Sequence, residues 1–331
     1  MLGFLFLVTT IFKKRKKFEH LPVYYKKGGS QMNNHSEQNE KKGLLSGIGA
    51  YLIWGVLPLY WKALGSVTPL SVLSYRIIWS FVFMLVVLCV TRKWKNFKVE
   101  ALMVIKDKKR RRAIILAALF ITVNWFIFIF TVTSGNVVEA SLGYYINPLA
   151  NILIATLFLK ERLSRIEKIA CVLATIGVVG LAIQTGAIPW AALAMATTFS
   201  LYGLIKKQAS VSSLTGLTLE TSIMAPIAMI YLCFFAPVGF MSYSPSINLL
   251  AIGAGVVTAI PLFLFAEAAK NISYILLGFL QYIGPTLMLI SAVFLFNETF
   301  AGPQLLAFGC IWLGILLFTI NNLVLLRKRY R

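Results

Sequence analysis

Residues 145–161 read YINPLANILIATLFLKE, and residues 282–298 read YIGPTLMLISAVFLFNE. Tyr145, Ile146 and Pro148 return as Tyr282, Ile283 and Pro285 at a constant offset of 137. Glu161 returns as Glu298, Gly177 as Gly314, and Phe126 and Phe128 as Phe263 and Phe265, all without a gap. Self-similarity over this length marks a duplicated structural unit. Both copies are continuous and apolar, not alternating, so they read as helices and not strands.

Outward from this pair, the whole chain is apolar. Of its 331 residues, 59% are hydrophobic and mean hydropathy is +0.80, against roughly 45–50% apolar in ordinary soluble domains. Within lipid every backbone polar group needs an internal partner, which leaves helices or a closed barrel. A spanning helix takes about 20 mainly apolar residues. On that measure ten spans are predicted, near 44–62, 70–91, 113–133, 137–159, 166–184, 188–205, 216–236, 247–268, 272–296 and 303–326.

The charge pattern tests that count. All of the 32 Lys and Arg except Lys62 and Arg76 fall in the two tails or in alternate connections: after spans two, four, six and eight. The heaviest run is Lys108-Lys109-Arg110-Arg111-Arg112. Basic residues mark the cytoplasmic side, so both termini are predicted to be cytoplasmic in a bacterial cytoplasmic membrane. The net charge of +21 is thereby explained without nucleic acid. Five spans per copy is an odd number, so the second copy enters the bilayer from the opposite side. The predicted fold is an all-α integral membrane protein of ten transmembrane helices in two inverted five-helix repeats, 43–185 and 186–326, with a basic tail at 327–331. Inverted repeats of this kind are a transporter architecture, with the solute site near mid-depth between the halves.

The tail 1–42 has its own reading. Twelve apolar residues from Met1 are too few to span, and the basic run follows them, the wrong order for a secretory signal. Lys27-Gly28-Gly29-Ser30-Gln31-Met32 can be encoded by a ribosome-binding site followed by a start codon. Residues 1–31 are therefore expected to be translated leader, with the natural chain beginning at Met32.

Few polar groups enter the spans. A charge in lipid costs several kcal/mol, so it faces protein or water and seeks a partner. Arg76 in span two and Glu139 in span four have compatible depth and opposite sign, and are expected to pair. Glu220 lies in span seven, the counterpart of span two. These three are candidates for solute or proton handling, with a structural pair or interface anchor as the other reading. Pro148 and Pro285 kink their helices and free carbonyls at mid-depth; a packing kink explains them equally well. Asn124, Trp125, Tyr144, Tyr145, Asn147, Gln281 and Tyr282 add aromatic and amide groups suited to a small organic solute. Glu161 and Glu298 are read as helix-end groups.

Chemistry is sparse otherwise. His20 and His35 both lie in the tail, and Cys89, Cys171, Cys233 and Cys310 have no pairing or metal spacing, so no metal site is expected. No phosphate-binding loop and no G-x-S-x-G nucleophile motif occur, so neither a cofactor nor enzymatic activity is expected.

Several stretches together resemble the RarD branch of the EamA family, in the drug/metabolite transporter superfamily. They are Pro58-Leu59-Tyr60-Trp61 after Gly55, Ser74-Tyr75-Arg76, Asn124-Trp125, the run from Glu139 to Pro148, Lys160-Glu161-Arg162-Leu163, Gly216-Leu217-Thr218-Leu219-Glu220-Thr221, and Gln281-Tyr282-Ile283-Gly284-Pro285-Thr286. The resemblance implies a ten-helix permease with cytoplasmic ends, whose spans three, four, eight and nine line a cavity. The expected function is secondary transport of small organic metabolites or drugs by alternating access. The alternative is a non-transporting sensor or partner subunit on the same scaffold.

Overall fold

A computed structural model describes the backbone of residues 30–133, 137–184, 188–296 and 302–329, and the side chains of 38–131, 142–183, 188–288, 290 and 305–321. Residues 1–29 of the expected leader, and Glu298, lie outside the described residues. Asn39–Arg331 forms one compact unit. Every regular element among the described residues is helical.

The helices are α1 (Ser30–Ala63), α2 (Pro69–Val90), α3 (Trp94–Lys106), α4 (Lys108–Thr133), α5 (Val137–Phe158), α6 (Arg165–Gln184), α7 (Trp190–Gln208), α8 (Ser213–Phe234), α9 (Pro245–Asn271), α10 (Tyr274–Gln281), α11 (Ile283–Phe296) and α12 (Gly302–Arg329). Six helical stretches are long and apolar enough to cross a bilayer: Gln38–Ala63, Pro69–Val90, Lys108–Thr131, Arg165–Ile183, Ser213–Phe234 and Pro245–Asn271. Shorter apolar stretches are Leu142–Phe158, Tyr274–Met288 and Leu305–Asn321.

Local sequence sets the ends. Pro69 and Pro245 open α2 and α9, where a missing N–H costs nothing. Ser164 and Glu167 exchange side chain to backbone hydrogen bonds of 2.7 and 3.3 Å at the start of α6, a capping box. Ser212 and Ser273 cap α8 and α10 through Thr215 N and Leu276 N.

Three features depart from the sequence expectation. α3 falls inside the charged connection between spans two and three. It packs Val104 against Ile114 and Val211. α7 runs on to Gln208, so Lys206 and Lys207 belong to the helix and not to the connection after it. The ninth predicted span is two helices, broken at Tyr282, whereas α5 continues through Pro148. Pro285 cannot donate to the Gln281 carbonyl, and Gly284 beside it weakens the helix further. Pro148 has Asn147 in that place and the helix persists.

The core sits where small residues let helices close. α6 packs along α12, α5 against α7 and α10, and α2 lies between α8 and α9. A Cβ on Gly177 would stand 2.4 Å from the Ala307 carbonyl oxygen, and one on Gly314 2.7 Å from that of Ala170. Away from the core, exposed Val172, Ile176, Val179 and Ile183 on α6 and Leu313, Leu316 and Ile320 on α12 repeat at helical spacing. An apolar stripe turned outward suits lipid.

Candidate functional site

The site begins with the α2–α9 contact. Ser80 Oγ donates to the Gly255 carbonyl at 3.0 Å. A Cβ on Gly255 would lie 2.2 Å from the Trp79 carbonyl carbon, so only glycine permits this approach. One turn away on each helix, Arg76 Nε donates to Thr258 Oγ1 at 3.0 Å. The spacings, four residues on α2 and three on α9, place both contacts on one face of each helix.

The guanidinium also lies against two indole rings. Its carbon lies 4.6 Å from the Trp61 ring centre and 4.5 Å from that of Trp125. Each such contact contributes about 0.5–2 kcal/mol, the upper end where water is excluded. Tyr144 stands near Arg76 and meets Phe128 edge-on at 5.7 Å between ring centres. Arg76, Trp61, Trp125 and Tyr144 come from four different helices, yet none is fully buried. Arg76 is thus a partly exposed cation with Trp61, Trp125 and Tyr144 around it.

The other expected residues divide. Asn124 Nδ2 donates to Met195 O at 2.8 Å and Thr198 Oγ1 at 3.1 Å, which fastens α4 to α7. Gln281 Oε1 accepts from Asn151 Nδ2 at 2.5 Å. The Tyr274 hydroxyl donates to Ser200 O at 2.8 Å, with Asn151 Oδ1 a second acceptor at 3.1 Å. Tyr145 donates to the Pro285 carbonyl at 3.2 Å, an oxygen at the start of α11. Asn124, Gln281 and Tyr145 are thus joined to protein partners that lock helix crossings. Asn147 Oδ1 and the Tyr282 hydroxyl are buried with no partner among the described residues. A buried polar atom left so costs about 1–3 kcal/mol. Pro148 lies within α5 and Pro285 at the third position of α11.

Glu220 does not share the Arg76 space. It accepts from Lys206 Nζ at 2.7 Å and from the Tyr202 hydroxyl at 3.3 Å, with Lys206 and Glu220 each only 2% exposed. The side chain of Glu139 lies outside the described residues, and so does the expected Arg76–Glu139 pair. Glu161 is a cap, but of a distant helix: its two oxygens accept from Tyr274 N and Ile275 N at 2.9 Å each, at the start of α10. No metal-binding cluster occurs among the described residues.

Sequence reasoning missed Trp61, Thr258, Lys206, Asn151 and Tyr274. Asn151 carried a signal, being a polar residue four positions from Asn147 in an apolar helix. Trp61 stood only in the stretch Pro58-Leu59-Tyr60-Trp61 that carries the resemblance, and Thr258 carried no signal, since only packing brings helices one and nine to Arg76.

Membrane-length apolar helices around a charged, aromatic-walled interior define a multi-pass α-helical membrane protein. Residues 41–183 match the EamA-like transporter family. An uncharacterized transporter, YojE of Bacillus subtilis (strain 168), is 45% identical over 285 residues, which cover 85% of this chain and 95% of the relative. Protein RarD of Salmonella typhimurium is 39% identical over 292 residues, 87% of this chain and 98% of the relative. One crystal structure, 21% identical, superposes with a TM-score of 0.65 over 84% of this chain and 97% of its own, which shows a shared fold. The chain belongs to the EamA-like transporter family, in its RarD branch.

Proposed function

We propose that this protein is a secondary transporter that moves small organic solutes across a bacterial cytoplasmic membrane by alternating access. Arg76 beside Trp61 and Trp125 carries the reading: a cation within an apolar span is costly to hold, and such groups mark solute or ion paths. Trp125, Tyr144, Asn147 and Tyr282 are its candidate companions. Glu139 and Glu220 are candidates for proton coupling.

The proposal takes the chain as ten spans in two inverted halves, 43–185 and 186–326, with both ends cytoplasmic. Contacts support it. The offset of 137 turns Gly177 into Gly314 and Ala170 into Ala307, and the close contacts Gly177–Ala307 and Gly314–Ala170 exchange under it. Such exchange is what a two-fold axis between halves produces. Helix pairing supports it too: the α5–α7 contact has its counterpart where Gly55 of α1 meets Leu287 of α11.

Solute flux in proteoliposomes tests the reading. Movement of a metabolite or drug across the membrane, abolished by Arg76→Ala and by Glu139→Ala without loss of insertion, is the expected result. No flux across broad metabolite and drug panels favours a sensor or partner subunit on the same scaffold. Profiling metabolites of a deletion strain beside an overexpressing strain selects the panel.

A further inference from the structure

We propose that the solute is an organic carboxylate, held by the outer edge of the Arg76 guanidinium with its apolar body against Trp61, Trp125 and Tyr144. The inference rests on the transporter reading and narrows it to a substrate class.

A guanidinium has five N–H donors in one plane. Its carbon lies 4.6 and 4.5 Å from the centres of two indole rings, so aromatic surface stands beside the fork. Nε is used by Thr258. The Nη1 and Nη2 groups meet no hydrogen-bond acceptor and no carboxylate among the described residues. Three other carboxylates of the interior and its margin are already engaged. Glu220 is with Lys206, Glu267 is 3.0 Å from Lys42, and Glu161 caps α10. None of these three answers the positive charge of Arg76, and the side chain of Glu139, its expected partner, lies outside the described residues.

The open edge has a defined geometry. Two parallel N–H donors match the two oxygens of a carboxylate, and the match is worth more where water is thin. Thr258 and the two indoles hold the fork in one orientation before any solute arrives, so little ordering remains to be done on binding. A neutral solute would offer the fork hydrogen bonds without charge. A cationic solute would meet it as a like charge. An inorganic anion would satisfy the fork but gain nothing from the aromatic walls.

The test uses the purified full chain in detergent. Phenylacetate and phenylalanine are titrated beside phenylacetamide and inorganic phosphate, with tryptophan fluorescence and thermal stability as readouts. Trp61 and Trp125 lie on the guanidinium, so occupancy is expected to change the fluorescence. Expected are saturable binding of a carboxylate probe, at least tenfold weaker binding of the amide and of phosphate, and at least tenfold loss in Arg76→Gln. Arg76→Lys is expected in between, because it keeps the charge and loses the fork. Equal binding of carboxylate and amide, wild-type affinity in Arg76→Gln, phosphate binding as well as phenylacetate, or no carboxylate binding would each overturn the inference. Proteoliposome flux separates it from the carrier reading. Flux of neutral or cationic solutes that survives Arg76→Gln keeps the carrier and sinks the carboxylate. Arg76-dependent carboxylate binding with no flux of any solute keeps the site and sinks the carrier.

Discussion

Replacing Lys206 by methionine removes one member of a buried pair and leaves the other charged. Lys206 Nζ lies 2.7 Å from Glu220 Oε1, both side chains are 2% exposed, and Tyr202 offers Glu220 a single further hydrogen bond at 3.3 Å. At that distance the attraction is about 6 kcal/mol with an effective dielectric of roughly 20. Desolvation of the two ions offsets much of it, several kcal/mol each. The net value of the pair is therefore small, but breaking it is not. Lys206→Met strands a carboxylate among buried Leu217, Thr221 and Tyr202, and about 3–5 kcal/mol of stability is expected to be lost. By ordinary scaling this lowers the thermal midpoint by on the order of 10 °C. Glu220→Leu is expected to do the same by stranding the ammonium. The double variant Lys206→Met/Glu220→Leu is expected to recover most of the loss, because both charges leave together. Heating detergent-solubilised protein and measuring the monodisperse fraction by size exclusion reads all four forms. Single variants as stable as the parent, or a double variant as damaged as the two singles combined, would refute the reasoning.

Three further outcomes are expected. Gly255→Leu forces side-chain atoms into the Trp79 backbone, so it is expected to cost 1–3 kcal/mol or more by overpacking and to weaken solute binding through the Arg76–Thr258 contact; the same thermal assay and the phenylacetate titration read it. Glu161→Ala uncovers two N–H groups at the start of α10, and about 1–2 kcal/mol is expected to go, as for loss of a helix cap. Glu100 lies on α3, outside the candidate spans. Burial pushes its pKa up, but hydrogen bonds from Thr215 and from the Ser212 hydroxyl and N–H, with the nearby Lys270 charge, outweigh burial and hold it below the ordinary carboxylate value. A depressed pKa stabilises the fold above the ordinary value and loses that contribution as pH falls through the lowered one. The thermal midpoint of wild type minus Glu100→Gln is thus expected to shrink between pH 6 and pH 3, by a modest amount because the group is partly solvated; a flat difference would contradict it.

What was legible in the sequence follows from what the bilayer forces. Apolar runs and the alternation of Lys and Arg are one-dimensional signals, and the described helices overlap the predicted spans, although α1 begins at Ser30, well before the first span, and the ninth is broken at Tyr282. Arg76 stood out because charge inside a span is rare, and Trp125 because it follows Asn124 in an apolar helix. Trp61 and Thr258 were not legible, since they reach Arg76 through tertiary packing. Lys206 was misplaced for a physical reason: basic residues gather at helix ends, and nothing local says that one of them turns inward to Glu220. α3 was hidden by its charges. The unequal fates of the two prolines were partly legible, because Gly284 precedes Pro285 and Asn147 precedes Pro148. Asn124, Gln281 and Tyr145 were read as cavity groups, but their partners tie helices together, which residue type alone does not reveal.

Alternating access requires that one and the same position open to each side in turn. A single cysteine in place of Tyr144, in a chain whose Cys89, Cys171, Cys233 and Cys310 have been replaced, reports this when an impermeant thiol reagent is applied to right-side-out and to inverted vesicles. Labelling from both sides, slowed by bound solute, is the result expected of a carrier. Labelling from one side only, with and without solute, would contradict it.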